Sequence, residues 1–480
     1  MILPSRSASV DRKRRALSRA LSIPQLVLSG IRSLVKKGDM RLSMVFTDEE
    51  VDKAFRDASE RNTRQRLFTP GQTLALFVMQ TLSRDEACTT TVDRFNLERK
   101  RQRLPPVAKD ASAYCKARSQ LPTSVIESLS QRISSIAGAK ALDSWKWRNR
   151  NVYLVDGMVM RAPDTLANQA KYPQPTSQDV GLGFPQVRAT VVTSLATGCI
   201  EAYKTGPVAG KKSGEIALFR DISARFQPGD IVVGDRLFES YRDVALLQMR
   251  GVDVVLGMNG TRKSPFAGEC ISIEESFRTI TRPDMNSKRF TVEQWNAMPA
   301  SITYRMIRYR TKGRKDCVTI VTSLLDPILF PAEAVAELYG LRWDIELDIR
   351  CFKTTMRRLE LRCLTPKNVD REIAVSVLAH NLVRLLTNDA AQIVELHPRE
   401  ISFSQSRDAW MTYGRELETV RDLMWVIHSA CARFVRDRPN REEPREKKSR
   451  DRNKYKLLKQ PRPSRARMLA KNEAPELNSA

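Results

Sequence analysis

The spacing of apolar positions changes character twice along this chain, and the changes divide it. Residues 1–45 hold no sustained period and read as a basic N-terminal arm with at most one weak amphipathic helix. From 46 to 145 the apolar residues recur three and four apart, which predicts helices throughout. Thr47 stands three residues before Glu50, a capping box that opens a first helix. Thr69 followed by Pro70 opens a second, which runs through Leu74, Phe77, Met79 and Leu82. Further helices are expected near 88–98, 110–119 and 123–136. The segment 46–145 is therefore read as an all-helical N-terminal domain.

The texture changes at Asn151. Val152–Val155 is a short apolar run ending at Asp156-Gly157, the pattern of a buried strand with a turn behind it. Arg188–Thr193 and Cys199–Tyr203 flank Gly198 and predict a β-hairpin. An amphipathic helix over 213–226, a strand over Asp230–Gly234 ending at Asp235, a helix over 239–250 and a strand over 252–257 follow. This order predicts a mixed α/β sheet across 146–258. Residues 259–330 lose the pattern and read as a β-rich insertion. From 331 to 395 the α/β texture returns, with one long helix from Pro331 to about Arg358 and another over 370–392. Residues 396–435 predict C-terminal helices, and 436–480 a basic tail expected to be disordered.

Charge sharpens this division. The 480 residues carry 81 Lys and Arg against 55 Asp and Glu, a net charge of +26, which points to a polyanionic partner. The excess is concentrated at the ends, where a phosphate-binding arm and a plain solvated tail remain equal readings. The eight cysteines form no CxxC pair, which suits free thiols in a reducing compartment. With 3 histidines, none at zinc-ligand spacing, a histidine-based centre is disfavoured. His380-Asn381 lies on an apolar helix and reads as a buried, satisfied pair. No apolar run is long enough for a transmembrane helix, so no membrane partner is expected.

Two acids stand out by position. Asp156 and Asp235 each follow an apolar strand, where the ligand crevice of an open α/β sheet lies. A turn-initiating Asp is the plainer alternative for either one alone. Tyr339, Arg342, Glu346 and Lys353 fall in one predicted helix and, at about 100° per residue, within roughly a 60° arc. Asp344 and Asp348 point away from that arc, and Leu338, Ile345, Ile349, Phe352 and Met356 form an apolar stripe beside it. A solvated ion-pair face explains Arg342 and Glu346 but not Tyr339 and Lys353 on the same line. Three carboxylates with neighbouring cations suit two-metal phosphoryl transfer, in which Mg²⁺ takes few oxygen ligands and shares the substrate's phosphate oxygens. Arg342 and Lys353 would hold flanking phosphates. Arg236 and Arg188 are weaker candidates for the same role, since an Arg beside an acid is often its ion-pair partner.

The segment Tyr153-Leu-Val-Asp156-Gly157, the segment from Gly234-Asp235-Arg236 to Tyr241, and the Tyr339–Arg342–Glu346–Lys353 spacing resemble the DDE transposases of bacterial insertion sequences, most closely the insertion-sequence-four family. The resemblance covers about 46–435. It implies a ribonuclease-H-like mixed-sheet catalytic core with a β-rich insertion between the second Asp and the Glu. Asp235 and Glu346 are 111 residues apart, which leaves room for one. It implies a catalytic, metal-binding triad of Asp156, Asp235 and Glu346, two Mg²⁺ ions for which Mn²⁺ can substitute, and DNA contacts from Tyr339, Arg342, Lys353 and Arg236. It further implies double-stranded DNA partners (terminal inverted repeats and target), a homodimer on paired ends, and a cytoplasmic, nucleoid-associated bacterial protein. The helical segment 46–145 would then bind DNA. Members of the family use an aromatic residue of the insertion to hold a flipped base; Trp295 lies nearest but reads better as a packing residue. Another two-metal nuclease or resolvase on the same core, and an inactive DNA-binding derivative, remain the alternatives.

Overall fold

The computed structural model describes residues 48–58, 68–107, 110–210, 213–259, 272–286, 291–310 and 317–413, with a few single positions elsewhere. The N-terminal arm, the C-terminal tail and most of 414–435 lie outside the described residues. The helices expected early in the chain are present: α1 (Asp48–Asp57), α2 (Pro70–Leu82), α3 (Cys88–Arg101), α4 (Ser112–Arg118) and α5 (Thr123–Ala139). Thr69 caps α2 by accepting from the Gln72 N–H at 3.3 Å, with Pro70 in the first turn.

Among the described residues eight strands follow: β1 (Val152–Arg161), β2 (Gln186–Ser194), β3 (Ile200–Pro207), β4 (Ile231–Gly234), β5 (Asp253–Gly257), β6 (Glu274–Thr281), β7 (Ser301–Arg310) and β8 (Cys317–Thr322). Between them lie α6 (Leu166–Lys171), α7 (Glu215–Ile222), α8 (Tyr241–Met249) and α9 (Val292–Asn296), and after them α10 (Ala332–Gly340), α11 (Trp343–Arg350), α12 (Pro366–Val394) and α13 (Phe403–Tyr413). The sheet order is β3-β2-β1-β4-β5-β8-β7-β6. β1, β4 and β5 are parallel neighbours and the flanking pairs are antiparallel, so the sheet is mixed as expected. The strands read as an insertion do not form a sheet of their own. β8 pairs with β5 from Val255–Thr322 to Gly257–Ile320, so β6, β7 and β8 lengthen the core sheet.

Alternation along the strands divides the core between two faces. Leu154, Met158, Met160, Val191 and Val233 point to one, and Val155, Val192, Val232 and Val254 to the other. The first face is covered by α10, α11 and the 29-residue helix α12. α12 buries residues around most of its girth because α2 and α5 pack on its outer side, in the same apolar cluster as the sheet. The helices before β1 therefore share a core with the sheet. The second face is covered by α7 and α8. No helix among the described residues is long and apolar enough to cross a membrane.

Candidate active site

β1 and β4 pair in parallel register from Val152–Ile231 to Val155–Gly234. Asp156 and Asp235 are the next residue on each strand. Neighbouring strands lie roughly 4.8 Å apart, so the register delivers both acids to one point. β1 does not end there, contrary to expectation. It continues to Arg161 along β2, and Asp156 is the first residue past β4, where the edge of the sheet opens. The Asp156 Oδ1 accepts from the Gly157 N–H at 2.7 Å, and the Asp235 Oδ1 from the Leu237 N–H at 2.8 Å. The turn-capping role weighed for Asp235 is thus present, and it employs one oxygen.

Burial pushes the Asp156 carboxyl up to about 6; the Gly157 N–H opposes this, Asp235 adds repulsion, Arg342 opposes and Glu215 adds again. Like charges gathered in a half-buried cleft cost free energy until a cation joins them.

The helix expected as one piece from Pro331 is wound in three ways. α10 ends at Gly340, the weakest helix former after proline. The chain then tightens: Arg342, Asp344 and Ile345 donate to Tyr339, Leu341 and Arg342, each three residues back. After α11, residues Cys351–Thr355 widen into a π turn, with the Met356 N–H bonded to the Cys351 carbonyl five back. The stripe of Leu338, Ile345, Ile349, Phe352 and Met356 is nevertheless buried as read. The Arg342 guanidinium lies 5.9 Å from the Tyr339 ring centroid and bonds Glu346 at 3.4 Å. Tyr339 reaches the turn after β4. A side chain on Gly257 would place its Cβ 2.6 Å from the Tyr339 hydroxyl and 3.1 Å from the Arg236 nitrogen. The Arg236 side chain is exposed.

Lys353 completes the cluster from the π turn. Burial lowers its ammonium pKa, and Asp156 and Glu215 work against that loss. Burial raises the Glu215 carboxyl, with Arg188 opposing and Asp235 adding to the rise. Asp156, Asp235, Arg342 and Lys353 are therefore within one another's electrostatic reach in overlapping pairs. Glu346 is turned onto Arg342. Among the described residues no three Asp, Glu, His or Cys side chains stand close enough to share a single ion.

Behind the site, α11 is anchored by charge. Asp348 is buried between Arg384 of α12 and Arg399, whose Nη2 is 3.1 Å from Asp348 Oδ2. Burial alone would raise the Asp348 carboxyl, but Arg399 and Arg384 hold it below the ordinary value. Asp344 faces Arg399 at 3.7 Å, on the side away from Arg342, as its helical angle predicts. Beyond the π turn, Arg358 bonds Glu372 at 3.0 Å and Glu86, so α12 and the loop before α3 also grip this segment.

The spacing argument missed Glu215, because an acid opening an amphipathic helix looks like any helix start. It also missed the Asp348–Arg384–Arg399 anchor, whose members are distant in sequence. Arg188 is the partner of Glu215 at 4.0 Å rather than a free cation. Trp295 packs as expected: its indole N–H donates to the Pro283 carbonyl at 2.9 Å, and Arg282 stacks 3.5 Å from the ring centroid. His380 and Asn381 are buried and bonded to Gly198, Ile200 and Ser130, but the His380 Nδ1 has no hydrogen-bond partner, so the pair is buried as expected and only partly satisfied.

Residues 147–382 match the family model of the transposase DDE domain. The chain is 28% identical over 293 residues to the transposase InsG for insertion sequence element IS4 of Escherichia coli (strain K12), covering 58% of this chain. The match spans 63% of the relative's length. Among solved structures, the piggyBac transposase synaptic complex with hairpin DNA aligns over 80% of this chain and 84% of its own, with a TM-score of 0.40 and 10% identity.

Proposed function

We propose that this chain is a DDE transposase of the IS4 type, on the strength of the match of residues 147–382 to the transposase DDE domain and the likeness to an IS4 transposase, and that it cuts the ends of an insertion sequence from flanking DNA and joins them to a target. The observation that carries the reading is the register of β1 and β4, which sets Asp156 beside Asp235 under the helix bearing Glu346. The mixed sheet with helices on both faces fits a ribonuclease-H-like core.

The donors at the cleft are carboxylate oxygens, the ligand type that hard divalent cations take, and a raised Asp156 pKa marks a place where added positive charge stabilises. They fit a pair of Mg²⁺ ions held by Asp156, Asp235 and Glu346. When bound, such ions activate the attacking oxygen and stabilise the leaving one in an in-line displacement at phosphorus. Glu346 would hold such an ion in place of its 3.4 Å contact with Arg342, a weak bond on a side chain that is 40% exposed. The Arg342 fork, freed of Glu346, then turns to a DNA phosphate, which it can grip bidentately. Lys353 holds a second phosphate from the π turn. Tyr339 and Arg236, which both come close to Gly257 at the end of β5, line the approach of the strand. The helices before β1 bind the end sequence, and two copies act on paired inverted repeats.

The experiment is incubation of the full chain with Mg²⁺ and supercoiled plasmids that carry or lack the inverted repeats flanking its own gene. Cleavage at the repeat ends and joining to a second plasmid are expected. Cleavage without regard to the repeats would favour a general two-metal nuclease, and binding to the repeats without cleavage an inactive derivative.

A further inference from the structure

A cavity of about 550 Å³ lies between the helices before β1 and the core, within the size range of small-molecule sites. Its charged lining is four arginines, Arg118, Arg358, Arg362 and Arg371, against two acids, Glu86 and Glu372, an excess of two positive charges. Both acids are engaged. Glu86 pairs with Arg358 and, at 3.3 Å, with Arg362. Glu372 bonds Arg358 at 3.0 Å and accepts from the backbone N–H groups of Arg362 and Cys363. Among the described residues Arg118 and Arg371 form no ion pair. The Arg118 guanidinium lies 3.7 Å from the Phe77 ring centroid, a contact that holds it in place. Its Nη1 bonds Gln80 and Cys88, each at 3.0 Å. Its Nη2 has only the Cys363 sulfur at 3.8 Å, and its Nε has no partner. Nε and Nη2 form one side of the guanidinium, a side that can take an oxyanion by two parallel bonds. Arg371, on α12, donates to the Leu121 carbonyl at 2.6 Å and to Asn368 Oδ1 at 2.8 Å. Burial lowers its pKa against the pull of Asp370, which is itself bonded to Lys171 and Tyr172.

We propose that this cavity binds the phosphate group of a small ligand, with Arg118 and Arg371 as its cations. A partly buried guanidinium without a counterion is costly, and a phosphate dianion supplies the two charges that the lining lacks. The Thr365 hydroxyl and the Asn368 amide at the wall can donate further bonds. Phe77, Ala87 and Leu364 give an apolar wall for an organic group beside the phosphate. Free phosphate, a nucleotide and the 5′ end of a DNA strand share the chemistry that such a site recognises. An occupant would bridge α4 and α12 and so tie the helices before β1 to the core. None of Asp156, Asp235 and Glu346 lines the cavity, and the proposal stands whether or not the chain cuts DNA.

The test is isothermal titration calorimetry of the full-length protein without DNA at fixed ionic strength, with inorganic phosphate and adenosine monophosphate as probes and thermal melts to establish folding. A saturable site is expected. Arg118→Gln and Arg371→Gln should each weaken it at least about tenfold, the scale of a lost bond to a charged group. Arg118→Lys should recover only part of the loss, since a point charge cannot form the two parallel bonds. Ser119→Glu sets a carboxylate at the wall and should abolish binding, which keeps the test decisive if an arginine variant does not fold. Lys353→Gln should bind phosphate as the wild type does. Gel shifts with a single strand bearing or lacking a 5′ phosphate separate the sources. A preference for the phosphorylated strand that Arg118→Gln removes assigns the site to a DNA end; calorimetric binding without that preference assigns it to a free ligand. The proposal is overturned if the wild type binds neither probe and shows no 5′ preference, or if folded Arg118→Gln and Ser119→Glu bind phosphate normally. It is equally overturned if Lys353→Gln loses as much affinity as Arg118→Gln, which would put the anion in the cleft.

Discussion

Asp156 and Asp235 are carried by strands, whereas Arg342, Glu346 and Lys353 are carried by a segment that changes its winding twice. The strand pair needs little outside help. Backbone bonds between β1 and β4 fix the register, a one-residue slip would reverse every buried side chain, and the acids follow the last paired residues. The helical half has no such ladder. Its position depends on long-range charge: Asp348 on Arg384 and Arg399, and Arg358 on Glu86 and Glu372. Backbone pairing thus sets half of the site, and buried ion pairs set the half proposed to meet DNA.

The contrast can be broken most forcefully at Arg384. Arg384→Ala leaves Asp348 buried with one partner fewer and should cost about 3–5 kcal/mol. Urea unfolding would measure this. Partial proteolysis should show α11 opening before the strands; simultaneous loss of both would mean that the two halves are not separately held.

Acid should act on the same region. Burial, with Arg384 adding to it, lowers the His380 pKa to about 3, and burial, with Arg399 adding to it, lowers that of His397 to about 4. Both rings are neutral in the folded protein, while the unfolded chain takes up their protons near pH 6.5. Their stabilisation is therefore complete above about 6.5 and is lost as pH falls towards the folded values. By pH 5 the loss should be about 2 kcal/mol for each histidine at 1.36 kcal/mol per pKa unit. His397→Gln should flatten the stability profile between pH 6.5 and 5, and an unchanged slope would remove His397 from this account.

Gly257→Ala probes the seam between the halves. Its Cβ would press on the Tyr339 hydroxyl at 2.6 Å, so about 1–3 kcal/mol should be lost. Pairing the variant with Tyr339→Phe in a double-mutant cycle should recover most of that loss. Asp344→Ala is the mildest change. Asp344 is one of two acids facing Arg399, and the loss should stay under about 1 kcal/mol with cleavage near wild type.

This difference also decides what was legible in the sequence. Apolar runs ending in Asp156 and Asp235 announced themselves, because a buried parallel strand needs such a run and an acid after it needs a reason. The arc of Tyr339, Arg342 and Glu346 followed from helical periodicity. The break at Gly340 and the π turn did not, because winding yields to packing that periodicity cannot see. Residues 259–330 read as a β-rich insertion, and the strands β6, β7 and β8 inside that range extend the main sheet instead, since the β5–β8 pairing joins positions more than sixty residues apart. Glu215 escaped notice for a similar reason: only the fold brings it to Gly157.

The central claim is that Asp156, Asp235 and Glu346 act together in metal-dependent DNA cleavage. Single-turnover cutting of one radiolabelled end duplex in Mg²⁺, with gel-shift affinity for the same duplex, tests it most directly. Asp156→Asn, Asp235→Asn and Glu346→Gln should each bind the end as wild type does and cut it at least about a thousandfold more slowly, the scale of a lost transition-state charge contact. Wild-type cutting by any one of the three would contradict the triad, and by all three the catalytic site itself.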